Sequence, residues 1–184
     1  VSLSAATVWR ITHISHSVDV YESRKGEFMG ERDSALNVVV GVDGSPSSHA
    51  ALRWAVQYAE LIGGDVVAVA AWELPWAYGW SAPAVDPTFD QTIAEQGLVS
   101  QVHQVLGESG AAQVRKRLVK GNPVEVLLSE AEGAKALVVG SRGMGGFRRT
   151  LLGSVSQECA MHATCPVVIV RGTVEVTDAG TQSE

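Results

Sequence analysis

The sequence predicts an α/β fold: a single open five-stranded parallel sheet with helices on both faces, Rossmann-like in architecture. Three observations predict it. From Asn37 onward, short β-branched runs alternate with amphipathic stretches, a β-α period that calls for parallel strands joined by right-handed crossover helices. The strand candidates are continuous apolar runs, as expected where both faces of a sheet are covered. With 46% hydrophobic and only 18% charged residues in a chain of 184, there is enough apolar material for one well-buried domain, and disorder throughout is excluded.

Residues 1–36 show no sustained period of 2 or 3.6 and are expected to form a poorly ordered N-terminal extension; Met29 within it is a candidate start of translation, with Val1 a non-AUG codon written literally. The domain proper, 37–172, opens with a strand over Val38 to Val42, which ends at Asp43-Gly44. Ser45-Pro46 then offers an N-cap followed by Pro at the first helical position. Ala51, Trp54, Ala55, Tyr58 and Ile62 recur at helical spacing as far as Gly63-Gly64, with Trp54 and Tyr58 read as core. Val66 to Trp72 is the second strand. The long connection after it gathers Trp72, Trp76, Tyr78 and Trp80 with Pro75, Pro83 and Pro87, and reads either as surface packing or as a lid.

Thr92 to Glu108 is predicted as a helix and Val114 to Lys120 as the third strand. Asn122-Pro123 starts a helix running to Ala131. Ala136 to Val139 is the fourth strand, Ser154 to His162 the fourth helix and Val167 to Val170 the fifth strand. Residues 173–184 form a polar tail expected to fray. No internal duplication divides the chain.

Charge and composition narrow the function. A net charge of −6 repels phosphate backbones and acidic lipid, which argues against nucleic-acid and membrane-surface partners. The longest apolar run, Val66 to Trp72, is too short to span a bilayer, and the first thirty residues lack the continuous apolar region of a signal peptide, so the expected location is cytoplasmic. Cys159 and Cys165 cannot build a disulfide framework or a four-ligand zinc site and are read as reduced. Cys159 and His162 have a metal-compatible i, i+3 spacing but no further ligand.

In open parallel sheets, ligands bind outside the carboxyl ends of the strands, where strand order reverses. Two segments fall there: Gly41 to Ser45, and the run from Gly140 to Ser156 with glycines at 140, 143, 145, 146 and 153. So many glycines let backbone N–H groups approach an anion, and the run feeds into a helix N-terminus at Ser154, Val155 and Ser156. Arg142, Arg148 and Arg149 reverse the acidic balance locally; they read as solvated loop charges, one of which is placed to screen a phosphate. A second reading accounts for the same residues without a ligand: the glycines only make turns, Ser154 and Gln157 form a capping box, and Asp43 is a turn former ahead of Ser45. Ordinary P-loop and dinucleotide motifs do not fit, because no Gly-x-x-x-x-Gly-Lys is present and Arg148 stands where a third glycine would be needed.

Gly140-x-x-Gly143, nine residues, then Gly153-Ser154 resembles the nucleotide signature G-x2-G-x9-G-(S/T) of universal stress proteins, in the strand-to-helix setting that family requires. The resemblance runs from about Asn37 to Gly172 and includes the Val-Asp-Gly-Ser entry, the Gly121-Asn122-Pro123 turn and the closing Cys165-Pro166-Val-Val-Ile-Val segment. It implies the ATP-binding branch of the family, with Val42 and Ala71 along the adenine, Val139 at the base or sugar, and Asp43 facing ribose and triphosphate. Gly140 and Gly143 would pass beside ribose and phosphates, and Gly153, Ser154, Val155 and Ser156 would hold the phosphates. Mg2+ would accompany ATP, bound to phosphate oxygens and at most one carboxylate, Asp43. The resemblance also implies a homodimer through the last strand, an apolar edge inviting a partner. The expected function is a regulatory nucleotide-binding dimer of the stress response, with slow or no hydrolysis. The alternatives are a weak ATPase or nucleotidyl-transfer enzyme of the same superfamily, and an interaction module in which the glycine loop is only structural.

Overall fold

Alternation along each central strand divides the protein into two cores, one on either side of a parallel sheet. The structure is a computed structural model and describes residues 18–22, 36–72, 87–144 and 151–172. Val38 and Val40 in strand β2 (Val38–Gly41) pack on one side and Val39 on the other, which is why β2 reads as an unbroken run of valine. The same division holds in β3 (Val66–Trp72) and β5 (Ala136–Gly140). Helices α1 (Pro46–Ile62) and α2 (Pro87–Ala111) close the first core, through Ala51, Leu52, Ala55, Leu98 and Val102; α3 (Pro123–Glu130) and α4 (Ser154–His162) close the second, through Val126, Leu127 and Cys159. Each fully buried Leu or Val stabilises the fold by roughly 1.5–3 kcal/mol.

The helix starts follow local rules. Ser45 caps α1, its Oγ accepting from the Ser48 N–H, with Pro46 at the first position; Asn122 caps α3 in the same way, accepting from the Val124 and Glu125 N–H groups, and is followed by Pro123. Gly63 ends α1 in the left-handed conformation at φ 67°. Two readings of the sequence need adjustment here. Trp54 and Tyr58 are half-buried at the margin of the first core, stacked at 5.0 Å between ring centroids, while Leu52 takes the fully buried position. The second helix runs beyond the predicted Thr92–Glu108 and is broken at Gly107, whose φ of 69° and ψ of 178° are not helical.

The five predicted strands are all present and parallel, and a sixth is added. The order is β1-β4-β3-β2-β5-β6, with β1 at Val18–Glu22, β4 at Val114–Lys120 and β6 at Val167–Val170. Val18–Glu22 lies inside the stretch the sequence reads as a poorly ordered extension; its pairing with β4 supplies order that its own short pattern does not announce. β6 forms the other edge and is half-buried along its length. From β2 the chain steps to β3 and β4 on one side, then crosses to β5 and β6 on the other, so strand order reverses between β2 and β5. No helix among the described residues is long and apolar enough to cross a membrane.

Candidate functional site

The ends of β2 and β5 diverge at this reversal and open a crevice of about 710 Å³, within the roughly 300–1,000 Å³ range of small-molecule sites. All ten residues predicted from the sequence, Val42, Asp43, Ala71, Val139, Gly140, Gly143, Gly153, Ser154, Val155 and Ser156, line it. Val69, Pro123, Leu127, Met144 and Leu152 line it as well and were not predicted. Val69 had a signal, since it lies two positions before Ala71 on the same face of β3. Pro123 and Leu127 had none, because only the packing of α3 brings them there. Trp76, Tyr78 and Trp80 of the proposed lid, and Arg148 and Arg149, lie outside the described residues.

Hydrogen bonds fix the start of the glycine loop against the entry to α1. The Arg142 carbonyl accepts from the hydroxyl of Ser45 (3.1 Å) and from that of Ser47. Asp43 Oδ1 accepts from the Ser45 N–H (3.0 Å), and Asp43 Oδ2 from the Met144 N–H (3.2 Å). Asp43 therefore combines the turn role with a second one, tying the loop to β2. This close seating explains two glycines. A Cβ on Gly140 would lie 2.8 Å from Ser47 C, Ser47 Oγ and Ser48 N, and one on Gly143 would lie 2.6 Å from Asp43 Oδ2.

Gly153 is different. Its φ of −74° and ψ of 161° suit any residue, and a Cβ there would meet nothing closer than the Arg142 Cα at 3.4 Å, an ordinary contact. Neither backbone conformation nor packing within the chain demands glycine at this position. Gly153 is also the N-cap of α4, with no side-chain hydrogen bond capping the helix. The Ser154–Gln157 capping box is thus not formed, because Ser154 is already the first helical residue. The Gly153 N–H donates to the Ser141 carbonyl (2.7 Å) and the Gln157 N–H to the Gly153 carbonyl (3.0 Å). Between them, the amides of Ser154, Val155 and Ser156 have no intrahelical acceptor and lie at the positive end of the helix dipole.

The hydroxyls divide. Ser154 is exposed, whereas Ser156 is buried and donates inward to the carbonyls of Gly153 (2.9 Å) and Ser141 (3.3 Å). Among the described lining residues, Arg142 is the sole charge of opposite sign to Asp43, and none is His or Lys. Both cysteines are free thiols. Burial pushes the Cys159 thiol up to about 11, reinforced by Cys165 and Glu158, which favours the neutral thiol. His162 Nε2 instead faces Glu158 Oε2 at 3.3 Å, and among the described residues no cluster of three His, Cys, Asp or Glu side chains could hold a metal ion.

The strand-order reversal, the anchored glycine loop and the uncapped helix start define an open parallel α/β protein with a ligand crevice suited to an anion at one end. Within that class, the chain belongs to the universal stress protein family, whose model matches residues 35–171. A universal stress protein of Mycolicibacterium smegmatis is 36% identical over 149 residues, which cover 79% of this chain and 49% of that protein. The chain thus spans about half the length of the curated relatives it matches. Universal stress protein UspA from Lactobacillus plantarum superposes with a TM-score of 0.59 at 24% identity, covering 73% of this chain and 97% of that one. A universal stress protein solved in complex with cAMP superposes with a TM-score of 0.55 at 29% identity, covering 74% and 97%.

Proposed function

We propose that this chain binds ATP with Mg2+ in the β2–β5 crevice and works as a regulatory nucleotide-binding protein of the stress response, with slow or no hydrolysis. Gly153 carries the reading: a glycine that the fold itself does not require stands directly before three unpaired amides at a helix N-terminus, where a phosphate would need the space a side chain would occupy. The cAMP complex of a relative supports an adenine nucleotide as the ligand class. Val42, Val69, Ala71 and Val139 offer apolar walls for the base. Asp43 has both oxygens engaged by backbone amides, yet a carboxylate retains further lone pairs, and among the described lining residues it is the one acidic group available to a phosphate-bound Mg2+.

A regulatory role fits this inventory better than fast turnover. The described lining residues include no His or Lys, and both oxygens of the Asp43 carboxylate already accept from backbone amides, which leaves it poorly disposed to take a proton from an attacking water. We further propose that the protein is a cytoplasmic homodimer paired through the half-buried edge strand β6. Calorimetric titration of MgATP into the wild-type chain and into Gly153→Val tests the site. Binding by the wild type, and at least a tenfold loss in the variant, about 1.4 kcal/mol, is the expected result. Normal binding by Gly153→Val would remove the phosphate assignment. No binding by the wild type at millimolar ATP, with no nucleotide released on denaturing freshly purified protein, would leave the glycine loop a structural turn.

A further inference from the structure

The glycine loop is gripped at one peptide bond, between Arg142 and Gly143. The Arg142 carbonyl accepts from two serine hydroxyls at the entry to α1, Ser45 Oγ at 3.1 Å and Ser47 Oγ, and both serines are buried. Ser45 has a second duty, since its oxygen also accepts from the Ser48 N–H (3.1 Å) and so caps α1. Ser47 has no part in that cap. Its hydroxyl meets only the Arg142 carbonyl and, at 3.2 Å, Ser45 Oγ. Neither serine lines the crevice.

This grip decides where the next amide points. The peptide is planar and trans, so its C=O and N–H point in opposite directions. The carbonyl is drawn toward α1, on the first-core side, whereas the crevice is walled by Val69, Leu127 and Val139 of the second core. The Gly143 N–H is therefore turned into the crevice that Gly143 lines, and among the described residues it has no acceptor. Its nitrogen stands 3.6 Å from the point that a Cβ on Gly153 would occupy, in front of the free amides of Ser154, Val155 and Ser156. Beyond Gly143 the loop is pinned again, by the Met144 N–H donating to Asp43 Oδ2 (3.2 Å). Glycine alone would not keep this orientation. A peptide followed by glycine can turn over, because φ > 0 is open to that residue, and the turned-over peptide would present a carbonyl oxygen to an anion.

We infer that Ser45 and Ser47 are positioning residues for the phosphate. Their hydroxyls lock the 142–143 peptide so that the Gly143 amide joins the three α4 amides as a fourth donor, preset for negative charge before the ligand arrives. The inference rests on the reading of the crevice as a nucleotide site.

The full chain carrying Ser45→Gly and Ser47→Ala tests it, because glycine is nearly as good an N-cap as serine and Ser47 has no cap to lose. Calorimetry with MgATP is expected to show at least about tenfold weaker binding than the wild type, with each single variant in between. Amide NMR of 15N-labelled protein at saturating MgATP separates positioning from general support of the loop. In the wild type, the Gly143 amide should shift downfield as it takes up a hydrogen bond to phosphate. In the double variant it should not, while the Val42 and Val139 amides move as in the wild type. Ser47→Ala alone, with the α1 cap intact, carries the same comparison if the double variant folds poorly. Binding within about twofold of the wild type, an equal Gly143 shift in both proteins, or loss of the Val42 and Val139 responses together with that of Gly143 would each overturn the inference and leave the nucleotide reading standing. No binding by the wild type would overturn that reading and the positioning role with it.

Discussion

Replacing Gly140 by Ala puts the seating of the glycine loop to a quantitative test. The added Cβ would lie 2.8 Å from Ser47 C, Ser47 Oγ and Ser48 N, 0.6 Å inside the 3.4 Å limit of ordinary contact. Two of these three are backbone atoms that no rotamer change can move, so β5 and the first turn of α1 must separate. Separation strains the bonds from the Ser45 and Ser47 hydroxyls to the Arg142 carbonyl. Overpacking of this kind costs about 1–3 kcal/mol, and a lost hydrogen bond adds about 1 kcal/mol, which gives a destabilisation of about 2–4 kcal/mol. With a urea m-value of about 1–3 kcal/mol/M, the unfolding midpoint should fall by about 0.7–4 M, about 1.5 M at the central values, read by circular dichroism. Gly153→Ala is the matched control: its Cβ meets only ordinary contacts, and its stability should stay within about 0.5 kcal/mol of the wild type. A Gly140→Ala midpoint within about 0.3 M of the wild type would refute the reasoning, since it would require α1 and β5 to stand farther apart than described.

Two further predictions concern buried titratable groups. Lys116 is 5% exposed, with Nζ donating to the carbonyls of Ala111 (2.7 Å) and Val114 (3.2 Å), and burial lowers its pKa below 10.5. The unfolded chain therefore holds this proton to higher pH than the folded one, and native stability rises with pH between the lowered value and 10.5. Lys116→Met should remove that rise, so its stability relative to the wild type should decline as pH increases through this window; parallel urea curves across it would refute the burial argument. Cys159 is fully buried and its thiol is pushed up to about 11, leaving roughly one molecule in a thousand as thiolate near pH 8. Iodoacetamide should label half-buried Cys165 first in the native protein, as read by peptide mass spectrometry, and equal labelling rates would contradict this.

Much of the fold was legible because its signals are local. A strand covered on both faces must be apolar at every position, so Val38–Gly41 and Val66–Trp72 stand out as runs. Ser45-Pro46 and Asn122-Pro123 announce helix starts through capping that involves only the next few residues. The candidate site was legible for the same reason, since Gly140, Gly143, Gly153 and the residues after them occupy one connection in the chain. The capping box failed as a reading because Ser154 and Gln157 have the right spacing, whereas the position of the cap depends on where Ser141 holds the Gly153 amide.

The amino-acid sequence by itself determined the β-α order, the helix starts and the glycine spacing at the crevice, all of which act over a few neighbouring residues. Tertiary structure alone decided that Pro123 and Leu127 wall the crevice, that Gly140 is excluded from bearing a side chain while Gly153 is not, and that Val18–Glu22 becomes a strand. Each of these depends on what distant residues bring alongside. Val18–Glu22 has too short a pattern to specify a strand alone, and it gains one because β4, nearly a hundred residues away, presents a row of backbone groups for it to pair with.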